Sequence, residues 1–203
     1  DHETDAPQAH YDQDANHLQI RSADQNLVLE LPWQVSTATI KHQEGNLLIR
    51  DLSMDLDLTL NDSNLSLRDI TGALHTTAGD SNLSFKNLES TDFDLKFSDG
   101  AATVALGLLT EGSVKCVCND GSLALSLPRL SAFDLSGTIS DGRITTNLNE
   151  DITESDGTIA LTHNGGGAEI LLIGSDGNID VRLVDPAVTE TISENMEEES
   201  TNE

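Results

Sequence analysis

The chain has few aromatic side chains and few basic ones. Of its 203 residues, Phe, Tyr and Trp together make up 3%, and ten Lys and Arg stand against 36 Asp and Glu. The formal net charge of −26 argues strongly against nucleic acid or an anionic membrane surface as a partner, because both are bound through clustered cations. The scarcity of aromatic residues excludes a core built from large rings.

Long hydrophobic runs are also missing. No stretch of about 18 apolar residues occurs, so the sequence predicts no helix that spans a bilayer. The first residues, "DHETDAPQAHYDQDANH", lack the basic start and the apolar middle of a signal peptide. We therefore expect that, if the protein is exported, its signal has already been removed.

Cysteine is limited to Cys116 and Cys118 in the string "CVC". Residues two apart on a strand have Cα atoms roughly 6.5–7 Å apart, at or beyond the upper edge of disulfide geometry. A metal pair would need further Cys or His ligands at matched spacing. We expect free, buried thiols rather than a disulfide or a metal site.

What the sequence does contain is a repeat. Residues 46–63, "NLLIRDLSMDLDLTLNDS", are followed by the similar "NLSLRDITGALHTTAGDS" (64–81) and "NLSFKNLESTDFDLKFSD" (82–99). Apolar residues recur at spacing two, as in a strand with one buried face. Aligning the three copies produces apolar columns: Leu47, Leu65, Leu83; Ile49, Leu67, Phe85; Leu52, Ile70, Leu88; Leu56, Leu74, Phe93; and Leu58, Thr76, Leu95.

Polar residues separate these columns and mark corners. Arg50, Arg68 and Lys86 align with one another, as do Asp51, Asp69 and Asn87, and both sets have outward or corner character. Triplets such as "NDS", "NDG" and "SDG" recur where strands must bend, because Asn, Asp and Gly tolerate positive φ. Separate hairpins would use such turns too. The constant column offset favours a coil in which each turn buries its inner face on its neighbours.

The predicted fold is therefore all-β, a single-stranded right-handed parallel β-helix (β-solenoid) with about 18–21 residues per coil and about eight coils. We divide the chain into a flexible acidic leader (1–16), the solenoid (17–184) and a flexible acidic C-terminal tail (185–203).

Several strings carry a resemblance to a known family. "GNLLIRDL", "GDSNLSFKNL", "DGSLALSLP" and the ending "THNGGGAEILLIGSDGNIDVRL" resemble the bacterial "putative adhesin" domain of unknown function, a short right-handed parallel β-solenoid. The resemblance covers about residues 26–184. It implies a protein that is exported to the periplasm, the outer membrane or the exterior of a bacterium, and it implies no catalytic or ligand-binding residues.

Calcium is the sharpest candidate ligand. "GSDGNIDVRL" (174–183) has part of the glycine–aspartate rhythm of calcium-binding nonapeptide repeats, with Asp176 and Asp180 as candidate ligands. That motif works in tandem, and here it occurs once. An ordinary turn is the favoured interpretation, and we assign no metal.

Catalysis on a β-helix would need convergent acids on an outer face. Asp55, Asp57, Asp92 and Asp94 project from equivalent strands and define a candidate acidic patch. The simpler interpretation is that outward strand positions are polar and that acidic ones prevent aggregation.

Other motifs predict no cofactor. The six histidines show no metal-ligand spacing, "NGGGAE" (164–169) lacks the lysine and helix of a phosphate loop, and Trp33 is interpreted as an end cap over the first coil.

The sequence thus favours a non-catalytic, adhesin-like or scaffolding protein of the bacterial envelope or exterior. It would contact a protein or a surface glycan through its outer faces. The alternative is a carbohydrate-active enzyme on the same architecture. The sequence does not define the oligomeric state.

Overall fold

A computed structural model describes residues 8–12, 16–23, 26–29, 35–148, 153–155 and 157–185. Within these ranges all regular elements are strands, and the predicted all-β solenoid is confirmed. The strands are β1 (Gln8–Asp12), β2 (His17–Ala23), β3 (Leu27–Leu29), β4 (Thr37–Ser53), β5 (Asp55–Thr71), β6 (Leu74–Ala78), β7 (Ser81–Glu89), β8 (Asp92–Leu106), β9 (Ser113–Pro128), β10 (Phe133–Thr146), β11 (Thr153–Ser155), β12 (Thr158–His163) and β13 (Ala168–Val184).

Successive coils pair as parallel strands and place equivalent residues on top of one another. Leu47 pairs with Leu65 and Leu65 with Leu83, as the aligned copies predict. The column of Leu56 continues through Leu74 to Phe93 even though the offset changes from 18 to 19 residues. All side chains of the five predicted columns are buried, so the inward assignment is confirmed.

Each coil bends at corners. The first corner lies at Glu44 and Gly45 in β4 and at Asp62 in β5, all with positive φ. We call the extended segment before this corner the first run of the coil and the segment after it the second run. The second run ends at another column of left-handed residues, Asp51, Asp69 and Asn87.

Glycine is required at the first corner of the later coils. Gly100 and Gly177 have φ values of +103° and +108°, in a region that L-residues with side chains rarely adopt. A Cβ on Gly177 would overlap the carbonyl oxygen of Gly121 on the adjacent coil. At Gly177, glycine therefore permits both the turn and the close stacking.

The coils do not stack in chain order at the C-terminal end. β13 lies between β9 and β10 and pairs with both in parallel. After β9 the chain therefore leaves one coil position empty, forms β10 beyond it, and returns to occupy that position with β13. The side-chain amide of Asn164 holds the crossing segment by donating hydrogen bonds to the carbonyl oxygens of Arg129 and Ser131, at 3.0 and 2.8 Å. The resulting order is β9–β13–β10 rather than the order of the chain.

Antiparallel strands cover parts of both ends. β10 pairs with β12 and β12 with β11, and at the other end β1 pairs with β2. β1 lies inside the segment predicted as a leader, where it pairs antiparallel with β2. Trp33 and residues 186–203, the greater part of the proposed tail, lie outside the described residues.

The interior is mostly aliphatic. Phe85 and Phe93 meet edge to face with ring centroids 5.5 Å apart. Cys116 and Cys118 are both free and buried, as predicted from their spacing. Burial raises the pKa of both thiols above the ordinary value, so they are poor nucleophiles.

One polar side chain breaks this apolar pattern. His42 is fully buried on β4, and both ring nitrogens lack a hydrogen-bond partner in the described structure. It stacks between Ser22 and Leu60 of the neighbouring coils, and the Ser22 hydroxyl also has no partner there. Burial lowers the pKa of His42, because it desolvates the charged imidazolium.

The column assignment predicts unequal effects of two nearby substitutions. Leu67→Asp should destabilise the protein by about 3–5 kcal/mol, since it buries an unpaired carboxylate in a fully enclosed column. Asp69→Asn should shift the urea midpoint much less, because Asn also adopts the left-handed corner conformation and the hydrogen bonds that the change weakens lie at an exposed site. Equal shifts in urea denaturation followed by circular dichroism would contradict the assignment.

A second prediction concerns acid. The unfolded chain takes up a proton at His42 before the folded chain does, so this residue's contribution to stability is constant above about pH 6.5 and falls as the pH drops below it. His42→Leu should raise stability by about 1–3 kcal/mol, with a larger gain at pH 5 than at pH 8. Urea titrations at the two pH values measure this. The control is His75→Gln, at a half-exposed position, which should lose as much stability between pH 8 and pH 5 as the wild-type protein does. An equal gain at both pH values would contradict the titration of His42.

Candidate functional site on the outer faces

The structure gathers the predicted acidic patch on the outer face of the first run. Asp57 pairs with His75 and His75 with Asp94, so the three residues form one column across three coils. Asp55 and Asp92 lie two positions earlier on the same strands as Asp57 and Asp94. His75 Nε2 is 3.5 Å from Asp92 Oδ2. The four carboxylates therefore share a face, with a histidine at their centre.

Two of these acids have structural partners. Asp55 Oδ1 accepts a hydrogen bond from the backbone N–H of Ala73 at 2.8 Å. Asp94 Oδ2 accepts one from Lys96 Nζ at 3.1 Å. The patch lies on an extended sheet face, and its cations are lysine rather than arginine. Its chemistry suits binding of cations or sugar hydroxyls through carboxylate oxygens.

The outer face of the second run carries an asparagine ladder. The side-chain amide of Asn46 donates to Asn26 Oδ1 at 2.6 Å, that of Asn64 to Asn46 Oδ1 at 3.1 Å, and that of Asn82 to Asn64 Oδ1 at 3.2 Å. Each amide is thereby held by the coil next to it. The ladder presents a row of oriented amide groups at the strand spacing of about 4.8 Å.

A basic column runs parallel to this ladder on the same face. Arg50 pairs with Arg68 and Arg68 with Lys86. Arg68 Nε donates to Asp69 Oδ2 at 2.7 Å, and Asn87 Nδ2 donates to Asp69 Oδ1 at 2.6 Å. Both bonds, that from Asn87 first, lower the pKa of Asp69. Amides, cations and corner carboxylates thus form an ordered polar face.

The first corner is acidic along the stack. Asp99 pairs with Asp120, Asp120 with Asp176, and Asp176 with Asp141. Asp80 joins this series through a side-chain hydrogen bond to Asp99. We call these five residues the acid ladder. Glu44 and Asp62 occupy the same corner in two earlier coils.

Stacked carboxylates hold protons more tightly than isolated ones. The hydrogen bond with Asp80 raises the pKa of Asp99, and partial desolvation and the charges of Asp80 and Asp120 add to it. The hydrogen bond with Asp120 likewise raises the pKa of Asp176, with smaller contributions from desolvation and from the charges of Asp120 and Asp141. A hydrogen bond between two carboxyl groups requires a proton on one of them.

The two candidate calcium ligands lie in different surroundings. Asp176 belongs to the acid ladder, whereas Asp180 on the second run forms an ion pair with Arg182 and accepts a hydrogen bond from Thr145 Oγ1 at 3.2 Å. Among the described residues, no three His, Cys, Asp or Glu side chains are grouped so as to hold a metal ion.

The "SDG" triplets were predicted as corners of the coil, but the acid ladder that they form was not predicted. The available signal was the recurrence of the same letters at 98–100, 140–142 and 175–177, with "NDG" at 119–121. Identical corners stack on one another in a solenoid, so an acid repeated at the corner becomes a column of acids.

Parallel coils, buried apolar columns and stacked polar ladders define a β-solenoid protein with extended, ordered outer faces. The resemblance found in the sequence is confirmed, since the chain belongs to the Toastrack DUF4097 family, whose family model matches residues 9–182. A crystal structure of a "putative cell adhesion protein" from Clostridium sporogenes is also similar, with a TM-score of 0.45 and 12% sequence identity over 91% of this chain and 79% of that chain. None of the curated proteins compared with the chain matches it.

No helix long and apolar enough to cross a membrane occurs in the part of the chain that the structure describes.

The acid ladder predicts a pH-dependent effect of removing one charge. A raised pKa means that the folded chain binds protons more readily than the unfolded chain, so the ladder's contribution is fully present below about pH 3.8 and is lost as the pH rises through the folded pKa. Asp99→Asn should therefore raise the melting temperature at pH 7 and have little effect near pH 4.

Asp57→Asn is the matched control, because it removes the same charge where the stacked neighbours are Thr39 and His75 rather than acids. Its gain at pH 7 should be smaller than that of Asp99→Asn. The melting temperatures of both variants are measured at pH 7 and near pH 4. Equal changes in melting temperature for the two variants would contradict repulsion within the acid ladder.

Proposed function

We propose that the protein is a non-catalytic, adhesin-like or scaffolding β-solenoid that acts by contact through its outer faces. The observation that carries this proposal is the order of those faces. The asparagine ladder and the basic column repeat across successive coils, so polar groups are fixed at regular spacing over an extended surface.

Order of this kind lowers the cost of binding. Asn64 is held from both sides by the amides of Asn46 and Asn82, and Arg68 is held by Asp69. Side chains that are already fixed lose less conformational entropy when a partner binds. Solenoids commonly use such extended surfaces to bind partners.

The acidic patch is the observation that favours a carbohydrate-active enzyme as the second candidate. A hydrolase needs one carboxyl group as acid and another as base or nucleophile around the bond to be cleaved. Here the patch lies on an open sheet face, and Asp55 and Asp94 are engaged with Ala73 and Lys96. These features support contact more than catalysis.

The cellular location is part of the same proposal. The family resemblance implies a protein of the bacterial envelope or exterior, in the periplasm, at the outer membrane or outside the cell. A contact surface of this extent serves either attachment to a glycan or assembly with another protein.

The proposal is tested with purified protein and isolated bacterial envelopes. The protein should be retained on sedimented envelopes without releasing reducing sugars from them. The variant Arg50→Gln/Arg68→Gln/Lys86→Gln removes the basic column, and Asp57→Asn/Asp94→Asn removes part of the acidic patch. Retention should fall at least about tenfold in one of the two, which corresponds to about 1.4 kcal/mol.

Two outcomes would contradict this proposal. Absence of retention for the wild-type protein would argue against a contact function. Release of reducing sugars that disappears in Asp57→Asn/Asp94→Asn would support the enzyme instead. Circular dichroism of all variants controls for folding, and retention of Asp134→Asn, an exposed acid outside both sets, controls for charge.

A further inference from the structure

Three exposed apolar side chains stand out against the polar surface. Leu108, Leu130 and Val184 are 63%, 70% and 40% exposed. The other large apolar residues with comparable exposure in the described chain are Val28 and Leu171, at 60% and 38%. Exposed apolar residues are ordinary when scattered and informative when they cluster.

These three residues share one corner of the solenoid. The backbone N–H of Leu109 donates to Ser131 Oγ at 3.1 Å, and that of Ala132 donates to the carbonyl oxygen of Leu109 at 2.8 Å. The segments that carry Leu108 and Leu130 are therefore bonded to each other. The backbone N–H of Arg129 donates to the carbonyl oxygen of Val184 at 2.9 Å, which brings the third residue alongside. We call Leu108, Leu130 and Val184 the apolar corner.

The apolar corner arises where the coil length changes. Asp92 pairs with Ser113, an offset of 21 residues instead of the 18 of the first coils. The additional residues fall in the segment 107–112, which carries Leu108. The crossing segment 129–132 carries Leu130. Neither leucine has an inward column to fill.

The backbone beneath the corner is well anchored. Ser131 is fully buried, and Asn164 binds the carbonyl oxygens of both Arg129 and Ser131. The two leucines are thus presented on a fixed base. An exposed leucine on such a base contributes little to folding, so folding alone does not account for the corner.

A cleft of about 260 Å³ opens beside Leu108. Glu89 and Glu111 lie in its walls, together with the hydroxyl-bearing Thr91 and Thr110. The nearby cation, Arg129, is paired with Asp185 at 2.8 Å. Two carboxylates next to an apolar surface are complementary to a lysine or arginine, whose aliphatic stem packs on leucine while its charge meets the acids.

We propose that the apolar corner is a docking site for a basic, apolar segment of a partner protein, with a Lys or Arg side chain in the cleft between Glu89 and Glu111 and apolar side chains over Leu108 and Leu130. This proposal rests on the contact function above and adds the partner's chemistry. The net charge of −26 favours a basic partner over an acidic one.

The probe is a fluorescein-labelled twelve-residue peptide of alternating Lys and Leu, with a Lys/Ser peptide of equal charge as its control. Fluorescence anisotropy in 0.15 M salt should show tighter binding of the Lys/Leu peptide. Leu108→Ser/Leu130→Ser should weaken that binding at least about tenfold, as expected for central apolar contacts, and leave the melting temperature nearly unchanged. Glu89→Gln/Glu111→Gln should weaken it as well.

A second double variant tests whether the peptide binds only through general attraction to an acidic protein. It removes the same number of negative charges at positions outside the cleft. Asp134→Asn/Asp141→Asn removes two exposed charges outside the apolar corner, the basic column and the acidic patch, and it should leave peptide binding unchanged. Equal losses from this variant and from Glu89→Gln/Glu111→Gln, or equal binding of the two peptides, would overturn the proposal.

Two further measurements separate this site from its alternatives. If sedimentation velocity shows a dimer that Leu108→Ser/Leu130→Ser dissociates, the corner binds a second copy of the chain and the proposal is wrong. If the protein is retained on envelopes and the leucine variant is retained equally, with peptide binding unaffected, the contact function stands and the docking site fails.

Discussion

In-register stacking is the constraint on which the rest of this structure depends. Each coil pairs with the next along nearly its whole length, so every residue lies about 4.8 Å from its equivalent in the neighbouring coil. The residues of a column must therefore be able to contact residues of the same or a similar type. Leucine over leucine buries apolar surface, and asparagine over asparagine exchanges hydrogen bonds. Like residues thus stack on like residues both inside and outside the solenoid. The contacts are apolar in the interior and hydrogen-bonded on the surface.

The acid ladder shows where this rule conflicts with another requirement. The corner needs residues that accept a tight turn followed by glycine, and aspartate before glycine meets that need. Stacking then places like charges side by side, which opposes folding. The pKa values of Asp99 and Asp176 are raised accordingly, by the hydrogen bonds with Asp80 and Asp120 and by the charges of the neighbouring acids. The second corner avoids the conflict, because Asn87 and Arg68 surround Asp69 with donors.

The proposed contact surfaces follow from the same constraint in two ways. Where the register is kept, the outer faces become ordered arrays, such as the asparagine ladder and the basic column. Where it is broken, side chains lose their inward column and turn to solvent, as at Leu108 and Leu130. The departure from the 18-residue repeat thus coincides with the apolar corner. The regular coils form the extended polar faces, and the irregular segments form the local apolar corner.

The sequence by itself determined which residues face inward. The five apolar columns, the buried thiols of Cys116 and Cys118 and the outward Asp51 and Asp69 all follow from spacing two and a repeat of about 18–21 residues. The reason is that a strand alternates its faces and a solenoid repeats them. It did not determine which coils become neighbours. Corners alike in sequence, such as those at Asp120, Asp141 and Asp176, fit one another equally well, so only the tertiary structure placed β13 between β9 and β10. That pairing is a non-local choice among similar edges. It decided which acids of the ladder are neighbours, and it brought the segments that carry Leu130 and Val184 together.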